Sequence, residues 1–99
     1  MSTSETKFKE ALAQSVSVND DALDLRLTDG RRLVVPLAWF PRLEQATTAE
    51  RSNWRLIGSG EGIHWPDLDE DISVESLLAG RRSQETPESL RAWRSRRRR

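Results

Sequence analysis

Apolar and polar positions alternate along the first third of the chain. In residues 15–20, Val16 and Val18 fall on one side and Ser15, Ser17 and Asn19 on the other. Over residues 22–27, Leu23, Leu25 and Leu27 alternate with Asp24 and Arg26. A period of two predicts half-buried strands. A third such stretch, residues 31–36, sets Leu33 and Val35 on one face. Asn19-Asp20-Asp21 reads as a turn. Asp29-Gly30 is a hairpin signal, expected as a two-residue type I′ turn, which needs positive φ at both central residues. Three strands joined by tight turns predict an antiparallel meander with one polar face.

The pattern changes after Pro36, which has no amide hydrogen for a ladder. Leu37, Trp39 and Phe40 form an apolar corner expected to dock on the sheet, with Pro41 restricting the backbone at Phe40. Residues 43–46 are expected to make a helical turn. Thr47-x-x-Glu50 is a capping-box pattern and predicts a short helix over residues 48–53. Residues 54–57 alternate again, Gly58-x-Gly60-x-Gly62 predicts a turn, and residues 63–65 pair back as the last strand, ended by Pro66. Asp67 to Asp71 is then expected to be an acidic loop. Ser73 caps a helix over residues 74–79, and Gly80 stops it.

Both ends read as helical. Ser2-x-x-Glu5 with Phe8, Ala11 and Leu12 predicts a short helix over residues 2–12. Beyond a linker at residues 81–85, Thr86-Pro87 opens a helix over residues 87–96 carrying Leu90, Ala92 and Trp93. The run from Arg96 to Arg99 is expected to be disordered. The predicted fold is α+β: a small antiparallel β-meander with short packed helices and a C-terminal helix. It divides into an N-terminal helical segment (1–14), a core domain (15–80) and an Arg-rich helix and tail (81–99).

Composition and charge sharpen this. Ninety-nine residues, 35% hydrophobic and 32% charged, make one domain that is lean in core material. Four tryptophans partly compensate, and a homodimer interface is a further source of burial. Cysteine is absent, which excludes disulfides, thiolate metal sites and cysteine nucleophiles. No apolar run approaches the ~20 residues of a membrane span, and residues 1–10 lack the apolar stretch of a signal peptide. A bacterial cytoplasmic protein with no membrane contact is the expectation. The formal net charge of zero conceals a split. Residues 1–80 hold 8 basic and 14 acidic side chains, net −6, whereas residues 81–99 hold 8 and 2, net +6. Such asymmetry bears on partners, not on fold.

Candidate chemistry is sparse. Asp67, Asp69 and Asp71 match the first ligands of a calcium loop, but Ile72 stands where glycine is needed and Leu78 where glutamate is needed. These carboxylates are expected instead at the N-terminus of the 74–79 helix, where its dipole favours negative charge. Gly58, Gly60 and Gly62 lack the spacing of a phosphate-binding loop. His64 is the single histidine, and no nucleophile-elbow pattern frames the nearby Ser59. No catalytic, cofactor-binding or metal-binding residue is therefore expected, and the chain is not expected to be an enzyme. The tryptophans are read mainly as core, with at least one near the surface. An exposed tryptophan beside the acidic loop would anchor a protein partner. The expected partner-binding set is Trp65, Asp67, Asp69, Glu70 and Asp71. Arg91, Arg94, Arg96, Arg97, Arg98 and Arg99 are the expected contacts to nucleic acid or an acidic partner. A solubilising tail, or one folded back on the acidic body, stays open beside these.

The stretch Trp54-Arg55-Leu56-Ile57-Gly58-Ser59-Gly60-Glu61-Gly62-Ile63-His64-Trp65-Pro66, with its continuation to Leu78, is distinctive. So is the Asp29-Gly30-Arg31 hairpin followed by Val35-Pro36-Leu37-Ala38-Trp39-Phe40-Pro41-Arg42-Leu43. Together they resemble the bacterial domain of unknown function 2442 over residues 16–80. The resemblance implies a small α+β fold with no established catalytic activity. It also implies a second small protein as neighbour, in a pairing that resembles a toxin–antitoxin arrangement. Some relatives carry a fused helix-turn-helix, for which residues 81–99 are too few. The expected function is a protein-interaction module, antitoxin-like, with nucleic-acid association through the tail as the alternative.

Overall fold

The structure, a computed structural model, describes residues 11–97. Most of the helix expected over residues 2–12 lies outside them, as do Arg98 and Arg99. Strands β1 (Ala13–Val18), β2 (Ala22–Leu27) and β3 (Arg32–Pro36) form one antiparallel sheet in that order. Val16 opposes Leu25, Val18 opposes Leu23, and Val35 opposes Leu23 from the other side. One face is therefore apolar, and Leu23, Leu25 and Leu27 are buried. The opposite face carries Ser17, Asp24, Arg26 and Arg32. The register shifts between Ala13 and Ser15. This bulge puts Ala13 against Leu27 on the core side, so β1 starts two residues before the alternation predicts.

The turns are built by side chains. Asn19 Oδ1 accepts from the amides of Asp21 and Ala22, each at 2.7 Å, closing the β1–β2 turn. The Asp29-Gly30 hairpin forms, but not as a two-residue type I′ turn. Gly30 has φ +94°, whereas Asp29 is not in the left-handed region. The connection is three residues long, with the Gly30 amide bonded to Leu27 O and the Leu27 amide to Arg31 O. That is a tight turn completed by glycine at positive φ. Asp29 Oδ1 accepts from the Arg31 amide instead.

A 3₁₀ turn (Leu37–Trp39) leads to α1 (Pro41–Glu44) and α2 (Thr48–Ser52). Both halves of the Thr47/Glu50 capping box are present. A second antiparallel sheet follows: β4 (Arg55–Ile57), β5 (Gly62–Trp65) and β6 (Glu70–Ser73), in that order. Here the expectation of an acidic loop is corrected. Glu70 and Asp71 belong to a strand, and only residues 66–69 form the turn. The separate helix α3 (Val74–Leu78) starts after β6, with Ser73 as its cap. A strand thus stands between the acidic turn and the helix end expected to attract it.

The inner faces of both sheets share one core with Leu37, Phe40, Leu43 and Leu68. Trp65 is fully buried in it, and its Nε1 donates to Arg51 O at 3.1 Å. Arg51 is itself buried. Its Nε and Nη2 donate to the carbonyls of Leu43 and Glu44, which end α1, and its Nη1 pairs with Asp20 at 2.7 Å. One guanidinium thus joins the β1–β2 turn, α1 and α2.

The sheets meet at Gly60. The Ala13 amide donates to Gly60 O at 2.8 Å. Gly60 has φ +114°, and a Cβ there would lie 2.5 Å from Ala13 O. Gly60→Ala combines a conformation that side chains avoid with a backbone clash. It is expected to lower the urea midpoint by the equivalent of roughly 2–4 kcal/mol, whereas Gly30→Ala, which meets open space at φ +94°, should cost only about 1 kcal/mol.

Candidate functional site

The most elaborate constellation surrounds the β5–β6 turn and α4 (Pro87–Arg97). Asp69 turns the chain with φ +52°, a conformation acidic and amide side chains tolerate better than most. Three successive carbonyls of the turn then accept side-chain donors, two from α4 and one from α1. Asp67 O accepts from Arg97 Nη1 at 3.2 Å, Leu68 O from Trp93 Nε1 at 2.8 Å, and Asp69 O from Arg42 Nη1 at 2.8 Å. The turn binds α4 through the carbonyls of Asp67 and Leu68, not through its carboxylates.

Trp93 is the anchor. It is 3% exposed, and the guanidinium carbons of Arg97 and Arg42 lie 4.5 Å and 5.5 Å from its ring centroid. Both distances fall within cation–π range. Arg97 Nη2 also reaches both oxygens of Glu50, at 2.9 and 3.0 Å. That hydrogen bond, aided by the Thr47 amide, holds the Glu50 carboxyl below its usual range. Arg94 Nε donates to Gln45 Oε1 at 2.8 Å. The helix runs through Arg97, which corrects the expected disorder for Arg96 and Arg97. Cations in the last turn also suit the helix dipole.

The approach to α4 is clasped too. Glu85 receives Arg42 Nε at 2.7 Å and Nη2 at 3.2 Å, and the Ser89 hydroxyl bonds it as well. Both members of the Arg42–Glu85 pair are largely shielded, at 13% and 6% exposure. Burial pushes the Glu85 carboxyl up, but the Arg42 and Ser89 hydrogen bonds outweigh it and hold it below the usual range. Arg82 lies over the Trp39 ring at 5.0 Å, and the Ser83 amide donates to Trp39 O.

The structure disperses the expected partner-binding set. Trp65 is core, a correction that follows from its complete burial. The Asp67 carboxylate accepts from Asn53 Nδ2 at 2.9 Å. Asp69 is exposed. Glu70, opposite Trp65 in the register, faces inward and is half-buried. Asp71 lies on the outer face, opposite His64, and its carboxylate is in short contact with His64 Nδ1. Of the arginines, Arg94 and Arg97 are engaged by the body, whereas Arg91 and Arg96 are exposed on α4. Among the described residues, no group of three or more His, Asp or Glu side chains is placed to hold a metal ion. Nor is any helix among them long and apolar enough to cross a membrane.

A second feature had no sequence signal. An open cleft of about 840 Å³ lies where the residues entering β1 and the β2–β3 turn meet α3. Leu12, Val74, Leu78 and Ala79 contribute its apolar surface, and Arg31, Glu61, Glu75 and Arg81 add charge of both signs. Its walls come from residues 11–31 and 61–81, so only folding brings them together.

Fold and site define a small two-sheet α+β protein clasped by a C-terminal helix. The chain belongs to the family of proteins of unknown function DUF2442, whose profile matches residues 13–83. Two solved structures share the fold. One is a protein of unknown function from Rhodospirillum rubrum, with TM-score 0.65 and 25% identity, over 75% of this chain and 92% of that one. The other is an uncharacterised protein from Chromobacterium violaceum, with TM-score 0.66 and 21% identity, over 89% of this chain and 81% of that one. No curated protein matches the chain significantly.

Proposed function

We propose that this protein is a binding module, not an enzyme, and that it works by covering a segment of another small protein. The observation that carries this is the cleft between the residues entering β1, the β2–β3 turn and α3. Its apolar surface is supplied by Leu12, Val74, Leu78 and Ala79, and its charged residues are of both signs. Such a surface suits an amphipathic segment: apolar side chains enter, and flanking charges select register. The antitoxin-like form draws on the paired small neighbour that the family resemblance implies, and a cytoplasmic setting accords with it. Co-expression with the neighbouring gene product should give a stable complex. Leu78→Lys, or Ala79→Arg on the exposed rim, should weaken it at least tenfold with little change in Tm. Absence of a complex, or unchanged affinity in both variants, would sink the proposal.

A second reading, nucleic-acid association, rests on Arg91 and Arg96, which stay exposed on α4. A labelled DNA duplex in the same assay tests it. Binding should fall steeply with salt through counterion release and be lost in the Arg91→Ala/Arg96→Ala pair. Binding indifferent to salt and to both substitutions would exclude it.

A further inference from the structure

Strand β3 is an outer strand of the first sheet. The opposite edge, β1, is tied to the second sheet where the Ala13 amide bonds Gly60 O. Among the described residues, no strand pairs with the free side of β3. Its bonding follows from the ladder. The Leu27 amide donates to Arg31 O at 2.8 Å and the Leu37 amide to Asp21 O at 2.9 Å, in the register that sets Leu25 against Leu33 and Leu23 against Val35. Antiparallel pairs alternate between exchanging both bonds and exchanging none. Leu33 and Val35 therefore bond β2, and the backbone groups of Arg32, Val34 and Pro36 point away from the sheet. All three residues are exposed. Arg32 and Val34 each present an amide and a carbonyl, whereas Pro36 presents a carbonyl alone.

Such an edge is a template for another strand, and its features fit itself. The Pro36 ring would meet a facing carbonyl, so Pro36 lies outside any ladder formed here. Gly30 closes the other end, its amide already given to Leu27 O. The usable edge is the stretch from Arg32 to Val34, too short for a longer foreign strand to gain further bonds. Inverted, that stretch matches itself: Arg32 opposes Val34, and Leu33 opposes Leu33. Every outward amide then finds an outward carbonyl. The side chains agree. Leu33, only partly buried against the core, gains Leu33 of the second copy on the inner face. Val34, 53% exposed on the outer face, gains the aliphatic stem of the facing Arg32. Arg32 brings no bare charge, because Asp24 of its own chain holds its Nη2 at 2.6 Å and its Nε at 3.0 Å.

We propose that β3 is a self-pairing edge: two copies of this chain join β3 to antiparallel β3 about a two-fold axis at Leu33, making one continuous sheet with three strands from each copy.

The interface is small, so the association is weak and depends on concentration. It is also closed, because the two-fold axis uses both free edges at once. The cleft near α3 plays no part in it, so a test on the chain alone is separate from what that cleft binds.

Sedimentation of the full chain between about 10 µM and 1 mM should show the mass rising from 11.3 kDa toward twice that value. Over the same range, hydrogen exchange at the Arg32 and Val34 amides should slow by about fivefold or more. The Leu33 amide, already bonded to β2, should change little. Val34→Pro removes an outward amide and no bond to β2. It should stay monomeric throughout, with the Leu23 to Leu27 amides still protected. Val34→Lys keeps the amide but sets a cation beside Arg32 of the second copy, and should weaken association about tenfold. A chain that stays monomeric, a dimer that persists in both variants, or Arg32 and Val34 exchange that ignores concentration would each overturn the proposal.

Discussion

Trp93→Ala is expected to detach α4 while leaving the two-sheet body folded. The substitution removes the single deeply buried side chain of the helix, the Nε1 bond to Leu68 O, and the ring beneath Arg97 and Arg42. Truncating a buried tryptophan costs roughly 3–5 kcal/mol. The remaining ties of α4 itself are the partly buried Leu90 and the contacts of Arg94 and Arg97, the polar ones each worth up to about 1 kcal/mol. An isolated helix as short as α4, 11 residues, is marginal in water, so it should melt once released. The expected signature is loss of helical ellipticity, rapid proteolysis within residues 81–97, and a body that still unfolds cooperatively. Survival of α4 protection would mean that the arginine ties suffice, and the role given to Trp93 would be wrong.

Arg51→Met should strongly destabilise the body. Methionine keeps the apolar stem but strips the donors from the Leu43 and Glu44 carbonyls. Leu43 O keeps the Ala46 amide at 3.2 Å, but the Glu44 carbonyl loses its donor, at about 1–3 kcal/mol where water is excluded. A total near 3 kcal/mol would lower Tm by roughly 10–20 °C in a domain of this size. Asp20→Asn supplies the contrast. Its side chain is 95% exposed, so loss of the ion pair alone should shift Tm by only about 2 °C. Equal shifts in the two variants would show that the pair, not the carbonyl ties, gives Arg51 its weight.

Local pattern carried the first half of the fold. Leu23, Leu25 and Leu27 alternate with polar residues, and in the structure they form the inner face of a central strand. The Thr47/Glu50 box caps a helix as its spacing requires. Three local features escaped because a neighbour decided them. The early start of β1 depends on a bulge opposite Leu27. The Asp29-Gly30 connection is three residues long because Arg31 pairs back with Leu27. Strand β6 begins with Glu70 and Asp71, residues depleted in strands. It forms because Ile72 meets Ile63 and because Asp71 sits across from His64.

The candidate sites divide the same way. Trp65 and the acidic residues were visible as residue types, but their burial and partners were not. Arg51 and Arg42 carried no site signal in the sequence, and each becomes a tie only because distant backbone carbonyls converge on it. The basic tail was equally legible as a contact for nucleic acid, for protein, or for the chain's own acidic body. Thr86-Pro87 and the charge split fixed that a capped, basic helix would follow the core. Only the tertiary structure placed its Trp93 on Leu68, 25 positions away, and its Arg97 on Glu50, 47 positions away. The physical reason is range. Turn chemistry, capping and alternation act between residues a few positions apart, so a sequence displays them directly. Docking depends on which surfaces remain unsatisfied after the sheets have paired, and those surfaces exist only in the folded chain.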